Sequence, residues 1–80
     1  MTIEIHHGAT HGNDDYVYTA WCAMPNSPRG QYDEEIDLIV RAEGRRGRRP
    51  GEAALRRAAQ AELDANYTPG MKVRRITRVW

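Results

Sequence analysis

Residues 50–70 read PGEAALRRAAQAELDANYTPG, and this stretch decides the fold class. Leu55 and Leu63 belong to an apolar stripe along one face, and the spacing of this stripe follows the 3.6-residue period of an α-helix. Pro50 favours a first helical turn, and the Thr-Pro-Gly sequence at the end of the stretch stops the helix. We therefore predict a helix over residues 52–66.

The same period predicts which side of the helix is buried. Small alanine side chains beside the two leucines let the helix lie close to a sheet. The polar residues between them fall on the opposite side and are expected to face water: Arg56, Arg57, Gln60 and Asp64.

Strand patterns flank the helix on both sides. Residues 2–7 alternate apolar and polar side chains, and residues 15–24 form the most apolar stretch of the chain, so a central place in the sheet is expected for the latter. Residues 32–42 place Ile36, Leu38, Val40 and Ala42 on a core face, with Ile39 an apolar exception on the other face. Residues 71–80 return as a last strand.

The pattern predicts an α+β fold in a single domain spanning residues 1–80. Its elements are an antiparallel β-meander of three strands, one helix and a final strand (βββαβ), with the helix packed on one face of the sheet. Val73 and Ile76 have opposite parity along the last strand, so we predict a β-bulge near Arg74 and Arg75. Whether that strand lies beside the first or the third stays open.

Charge divides the chain into an acidic part and a basic part, although its net charge is only +1. Residues 1–43 carry two basic and eight acidic side chains, and residues 44–80 carry ten basic and three acidic ones. Strong local fields of this kind usually serve recognition. Charge therefore favours a function in binding.

Patterns for other function classes are weak. His6, His7 and His11 with the single Cys22 lack the two tight ligand pairs of a structural zinc site, so no metal is predicted. Cys22 lies in an apolar strand, where a cysteine is more often a small buried hydrophobe than a nucleophile. No apolar run is long enough for a membrane span. We expect a non-enzymatic protein without a cofactor in a reducing cytoplasm.

Four acids at the start of the third strand form one candidate binding surface. Beside Tyr32, the carboxylates can mimic phosphates toward a basic groove on another protein, with Trp80 or Tyr16 as aromatic anchors. The alternative is that these charges only prevent edge-to-edge aggregation, and both interpretations stay open. The candidate partner-binding residues are Tyr32, Asp33, Glu34, Glu35 and Asp37.

An arginine-rich loop forms a second candidate surface, for nucleic acid. Four guanidinium groups on a glycine-containing backbone can neutralise several phosphates at once. The alternative is an internally balanced charge run that faces acids such as Asp15. The candidate nucleic-acid-binding residues are Arg45, Arg46, Arg48 and Arg49.

In architecture, the whole chain resembles the small phage-encoded proteins that include many type I anti-CRISPR inhibitors. The resemblance rests on the three leading strands, the alanine-rich helix introduced by RPGEAA at residues 49–54, and the closing strand at 73–80. It implies a phage or prophage inhibitor that binds a type I CRISPR surveillance complex (Cascade) in the cytoplasm of the bacterial host and blocks target DNA binding. The partner would be a protein subunit of that crRNA-guided complex, and we expect the inhibitor to act as a monomer without a membrane.

Overall fold

The computed structural model describes residues 2–6, 12, 15–41 and 50–80. The α+β class and the βββαβ order are confirmed, and the helix has the predicted bounds. The elements are β1 (Thr2–His6), β2 (Tyr16–Ala23), β3 (Glu34–Arg41), α1 (Glu52–Asn66) and β4 (Lys72–Arg78).

The strands form one antiparallel sheet in the order β1-β3-β2-β4. β1 pairs with β3, from Thr2 opposite Arg41 to His6 opposite Asp37, so the first three strands do not form the expected meander. The connection from β1 to β2 spans residues 7–15, which is longer than the loops that usually join hairpin strands. A connection of this length lets β1 pass to the far side of the β2–β3 hairpin.

β2 is central, as its apolar sequence predicts, and β4 lies beside it on the other edge. This placement settles the position of β4, which is neither beside β1 nor beside β3. Because β3 and β4 are both antiparallel to β2, they run parallel to each other, and α1 crosses over β2 to connect them. The helix therefore lies across one face of the sheet.

The core lies between α1 and that face. Leu55, Ala59 and Leu63 are buried, as the helical stripe predicts. Ala59 has no exposed surface, which lets the helix approach the sheet closely. The strand residues packed in the same core are Tyr16, Tyr18, Ala20, Cys22, Ile36, Leu38 and Val40.

The predicted β-bulge is present in β4. Trp21 pairs with Arg75 and Cys22 pairs with Val73, so Arg74 has no partner residue on β2. Its guanidinium donates to the Met24 carbonyl at 2.8 Å and to two further carbonyls of the β2–β3 loop. The bulge thus turns one arginine from the ladder toward the hairpin loop.

Two polar helix residues do not face water as expected. Arg56 donates to the carbonyls of Val73 and Arg74 at 3.0 and 3.5 Å. Gln60 donates to the Met71 carbonyl at 3.0 Å and accepts from the Val73 amide at 3.3 Å. β4 is an edge strand whose outer amides and carbonyls lack a neighbouring strand, and these helix side chains satisfy part of that edge.

An ionic cluster stabilises the end of the sheet that lies away from the β2–β3 loop. Arg41 on β3 contacts Glu4 on β1 and, at 2.8 Å, the buried carboxylate of Asp15. Hydrogen bonds from the Arg41 guanidinium to Glu4 and then to Asp15 raise the pKa of Arg41 above its ordinary value. Asp15 therefore does face an arginine. That arginine is Arg41 of β3, whereas the sequence suggested an arginine of the loop that follows β3.

Candidate functional site

The sheet has an outer face, meaning the face that points away from α1. Residues that alternate with the core residues along each strand occupy it. Thr19 and Ile39 on this face are nonetheless buried, at 7% and 1% exposure, so neighbouring side chains cover them. Its described side chains include Glu4, Val17, Thr19, Trp21, Glu35, Asp37, Ile39, Arg75 and Thr77.

Trp21 lies on this outer face near the hairpin end of central β2, and two other residues hold it. Its indole Nε1 donates to the Thr77 Oγ1 on β4 at 3.1 Å. The Tyr32 ring lies on its other side, with ring centroids 5.4 Å apart and planes inclined at 42°. Both rings are half-buried, so each keeps a solvent-accessible part. The result is a fixed aromatic pair at the end of the β2–β3 hairpin.

A shallow open groove of about 520 Å³ lies beside this aromatic pair. It is lined by Trp21 and by residues 30–35. Of the candidate partner-binding residues, Tyr32, Asp33, Glu34 and Glu35 therefore line one groove. Asp37 lies outside the lining, two residues farther along β3, where it accepts a hydrogen bond from Thr19 at 3.4 Å.

Asp33 has an internal structural task. Its carboxylate accepts hydrogen bonds from the Met24 amide at 2.8 Å and from the Ser27 hydroxyl at 2.7 Å. The Met24 and Ser27 hydrogen bonds hold the pKa of Asp33 below its usual value. Asp33 and Arg74 therefore both hold the hairpin loop, Asp33 through an amide and a hydroxyl and Arg74 through loop carbonyls.

Glu34 and Glu35 are the groove carboxylates that remain available. Both are exposed, and neither makes a hydrogen bond or ion pair with a described residue. Glu35 lies opposite Trp21 on the outer face, whereas Glu34 lies opposite Cys22 on the side of α1. Burial, followed by the nearby Glu34 carboxylate, raises the pKa of Tyr67 at the end of α1. The groove thus combines two aromatic rings with the exposed carboxylate of Glu35, whereas Glu34 lies toward the α1 side of the sheet.

Positive charge collects on the other edge of the sheet. Lys72, Arg75 and Arg78 of β4 are exposed and form no ion pair among the residues that the structure describes. Arg75 lies directly opposite Trp21 on the outer face. The loop candidates Arg45, Arg46, Arg48 and Arg49 lie outside the described residues.

Cys22 lies in an environment that suppresses thiol chemistry. It has no exposed surface, and its Sγ donates to the Ala20 carbonyl at 3.6 Å. Burial, with a smaller contribution from Glu34, raises the pKa of the Cys22 thiol to about 11. At neutral pH the thiol is protonated and therefore a poor nucleophile or metal ligand.

The described side chains bring together no group of three or more potential metal ligands. His7 and His11, and the side chain of His6, are outside this description. None of the described helical segments has the length and apolar character needed to cross a membrane.

Trp21, Gly30 and Gln31 line the groove but are not among the predicted partner-binding residues, and Trp21 is the aromatic one. The sequence contains the signal for it, because Trp21 has the parity of Val17 and Ala23, opposite to the core residues of β2. One helix covers one face of the sheet, so a tryptophan of that parity lies on the other face. Of the two aromatics expected as anchors, Tyr16 is buried in the core and Trp80 is 48% exposed.

No family model matches this chain. Likewise, no curated protein and no solved structure shows significant similarity to it. The case for its function therefore rests on its own residues: a hairpin groove in which an aromatic pair lies beside the exposed Glu35 carboxylate.

Proposed function

We propose that this protein is a non-enzymatic inhibitor that binds a basic surface of a protein partner through the groove at Trp21 and residues 30–35. The observation that supports this proposal most strongly is that the exposed Glu35 carboxylate, which accepts no hydrogen bond from a described residue, lies beside the aromatic pair Trp21 and Tyr32. Trp and Tyr are enriched among the residues that dominate binding energy at protein interfaces. Carboxylates around them select a cationic partner.

The groove offers a basic partner what a nucleic-acid backbone offers it. Carboxylates accept charge-assisted hydrogen bonds from Lys and Arg, as phosphate oxygens do. A protein that places carboxylates against the lysines and arginines of a DNA-binding surface therefore occupies that surface in place of the DNA. Asp37 continues the acidic surface along β3, whereas Asp33 keeps the hairpin loop in shape.

The resemblance to phage-encoded inhibitors suggests the identity of that partner. We propose a subunit of a type I CRISPR surveillance complex whose lysines and arginines normally hold target DNA. The inhibitor, from a phage or prophage, would act in the cytoplasm of the bacterial host as a monomer and without a cofactor. Binding would block access of target DNA to the complex.

Isothermal titration calorimetry with a purified type I surveillance complex tests this proposal. Glu35→Lys should weaken binding about tenfold or more, because close charge pairs at interfaces have coupling energies of about 1.5–7 kcal/mol. Asp64→Lys is the matched control, since it makes the same charge change on the exposed side of α1. Equal affinity of both variants and the wild type would place the interface elsewhere.

A nucleic-acid-binding function is the second candidate. Lys72, Arg75 and Arg78 support it, because they are exposed on one strand and have no ion-pair partner among the described residues. A phosphate binder would retard labelled DNA or RNA at low salt and lose affinity steeply as salt rises. Under the first proposal, electrophoretic mobility shifts stay weak, and replacing Arg45, Arg46, Arg48 and Arg49 with Gln leaves binding to the surveillance complex intact.

A further inference from the structure

The groove contains the parts needed to recognise one particular side chain. We propose that it binds the guanidinium of a single arginine of the partner, with the aromatic pair Trp21 and Tyr32 as the stacking surface. This inference rests on the proposed function, because it names the chemical group that the groove would take from a basic protein surface.

The aromatic pair fits a planar cation. The rings of Trp21 and Tyr32 contact each other at 42°, and a flat group can lie against the part of either ring that stays exposed. A cation within about 6 Å of an aromatic ring centre is attracted by the ring quadrupole, most strongly by tryptophan. Ring exposure on both residues leaves that surface accessible.

A carboxylate completes the recognition of a guanidinium. Glu35 lines the groove on the same face as Trp21, and its carboxylate accepts no hydrogen bond from a described residue. A stacked guanidinium keeps its N–H groups in its own plane, where a carboxylate at the rim can accept them. Lysine has no planar group to stack and offers only a point charge, so arginine is the better occupant.

The site is held in shape before any ligand arrives. Thr77 fixes the indole of Trp21 through a 3.1 Å hydrogen bond. The residue after Tyr32 is fixed twice, because the Asp33 amide donates to the Cys22 carbonyl at 2.9 Å and its carboxylate holds Met24 and Ser27. A preorganised site loses less conformational entropy on binding, which favours affinity.

Arg75 is a cation beside this site that binds none of the loop carbonyls held by Arg74. It lies on β4 directly opposite Trp21 and makes no ion pair with a described residue. Its charge repels an incoming guanidinium across the sheet. Removing that charge should therefore raise the affinity for arginine, whereas removing the groove carboxylate should lower it.

The test is a titration of the ¹⁵N-labelled full chain with the peptide acetyl-Gly-Arg-Gly-amide, followed at the indole N–H of Trp21. Trp80→Phe assigns that signal, because the chain has two tryptophans. We expect a saturable shift at Trp21, an affinity about threefold lower for the lysine peptide, and no saturation with the neutral citrulline peptide. Saturation by citrulline equal to arginine, or no shift with arginine, overturns the inference.

Variants locate the bound peptide. Glu35→Gln and Tyr32→Leu should each lower the affinity for the arginine peptide about threefold, and Arg75→Gln should raise it about twofold. Asp64→Asn, on α1, should leave it unchanged. Loss of affinity in Asp64→Asn equal to that in Glu35→Gln overturns the location.

The peptide experiment separates this inference from the proposed function. If the arginine peptide saturates the groove while the surveillance complex does not bind, the arginine site stands and the proposed partner is wrong. If the complex binds in a Glu35-dependent manner while the peptide leaves Trp21 unshifted, the proposed function stands and the arginine site is wrong.

Discussion

At the scale of single residues, the hairpin that forms the candidate site depends on two opposite charges. Asp33 holds the loop through Met24 and Ser27, and Arg74 reaches the carbonyls of the same loop from the bulge in β4. Neither contact is visible from periodicity, because each joins a side chain to backbone groups of a loop. The groove therefore has a rigid base although it lies at the tip of a hairpin.

The Asp33 contacts predict a pH-dependent stability difference. Because hydrogen bonds hold the pKa of folded Asp33 below its ordinary value of 3.8, its contribution to stability is present above that pH and is lost as the pH falls through the lower pKa of the folded state. Asp33→Asn should be less stable than the wild type in urea unfolding at pH 7, and the difference should shrink below about pH 4. Ser27→Ala removes one of the two hydrogen-bond donors to Asp33, so its loss of stability should be smaller and should also shrink below about pH 4. A difference independent of pH would contradict this role.

Two neighbouring arginines on α1 provide a second residue-scale prediction. Arg56 donates to two carbonyls of β4, whereas Arg57 is exposed. Arg56→Gln should lower the free energy of unfolding by about 1 kcal/mol. Arg57→Gln should change it by less than about 0.5 kcal/mol. Thermal or urea melts of the two variants check this, and a larger effect of Arg57→Gln would mean that α1 is rotated.

The site residues show how far the sequence reaches at this scale. Tyr32, Asp33, Glu34 and Glu35 were recognisable as a charged cluster, and the structure brings all four into one groove. The separate task of Asp33 was not predictable, because it depends on where the Met24 amide and Ser27 hydroxyl lie in the folded loop. The helical period predicts that Arg56 faces water, and this was wrong because its acceptors belong to a strand that is distant in the sequence.

At the scale of elements, α1 and its bounds follow from the sequence because the helix carries its own period and stop signals. The order of strands does not follow. Apolar alternation indicates that residues of β1 form a strand, but Ile3 and Ile5 would bury equally well beside β2 or β3. The long connection over residues 7–15 was the available signal that β1 and β2 are not neighbours.

The buried stripe of α1 predicts a large effect from one leucine. Leu63 is 1% exposed within the core, so Leu63→Ala should lower the free energy of unfolding by about 2–5 kcal/mol. Leu63→Met conserves most of the volume and should cost less than about 1.5 kcal/mol. Chemical denaturation of both variants measures the difference. Similar losses for Ala and Met would show that packing at this position is not what stabilises the helix.

At the scale of the whole molecule, the two edges of the sheet bear on its oligomeric state. Arg56 and Gln60 satisfy part of the outer edge of β4, and β1 is a short edge strand that carries Glu4. Both features discourage pairing between copies of the chain. Light scattering at micromolar concentration should therefore give a mass near 9.1 kDa. A mass near two chains would contradict the monomer.

The division of charge along the chain is also expressed on the folded sheet. Glu35 and Asp37 of β3 lie on the outer face, Trp21 lies on central β2, and Arg75 of β4 lies beyond it. The charge asymmetry was readable in the sequence, whereas the contact of Trp21 with Tyr32 beside these charges required the fold. The proposed interface is the acidic side of this arrangement together with that pair.

Hydroxyl-radical footprinting of the wild-type protein, free and bound to a purified type I surveillance complex, tests the proposed interface most directly. Trp21 and Tyr32 should lose labelling in the complex, whereas Trp80, which is 48% exposed, should keep it and so serve as the internal control. Protection of Trp80 with Trp21 and Tyr32 unchanged, or unchanged labelling of all three at saturating complex, would contradict the account.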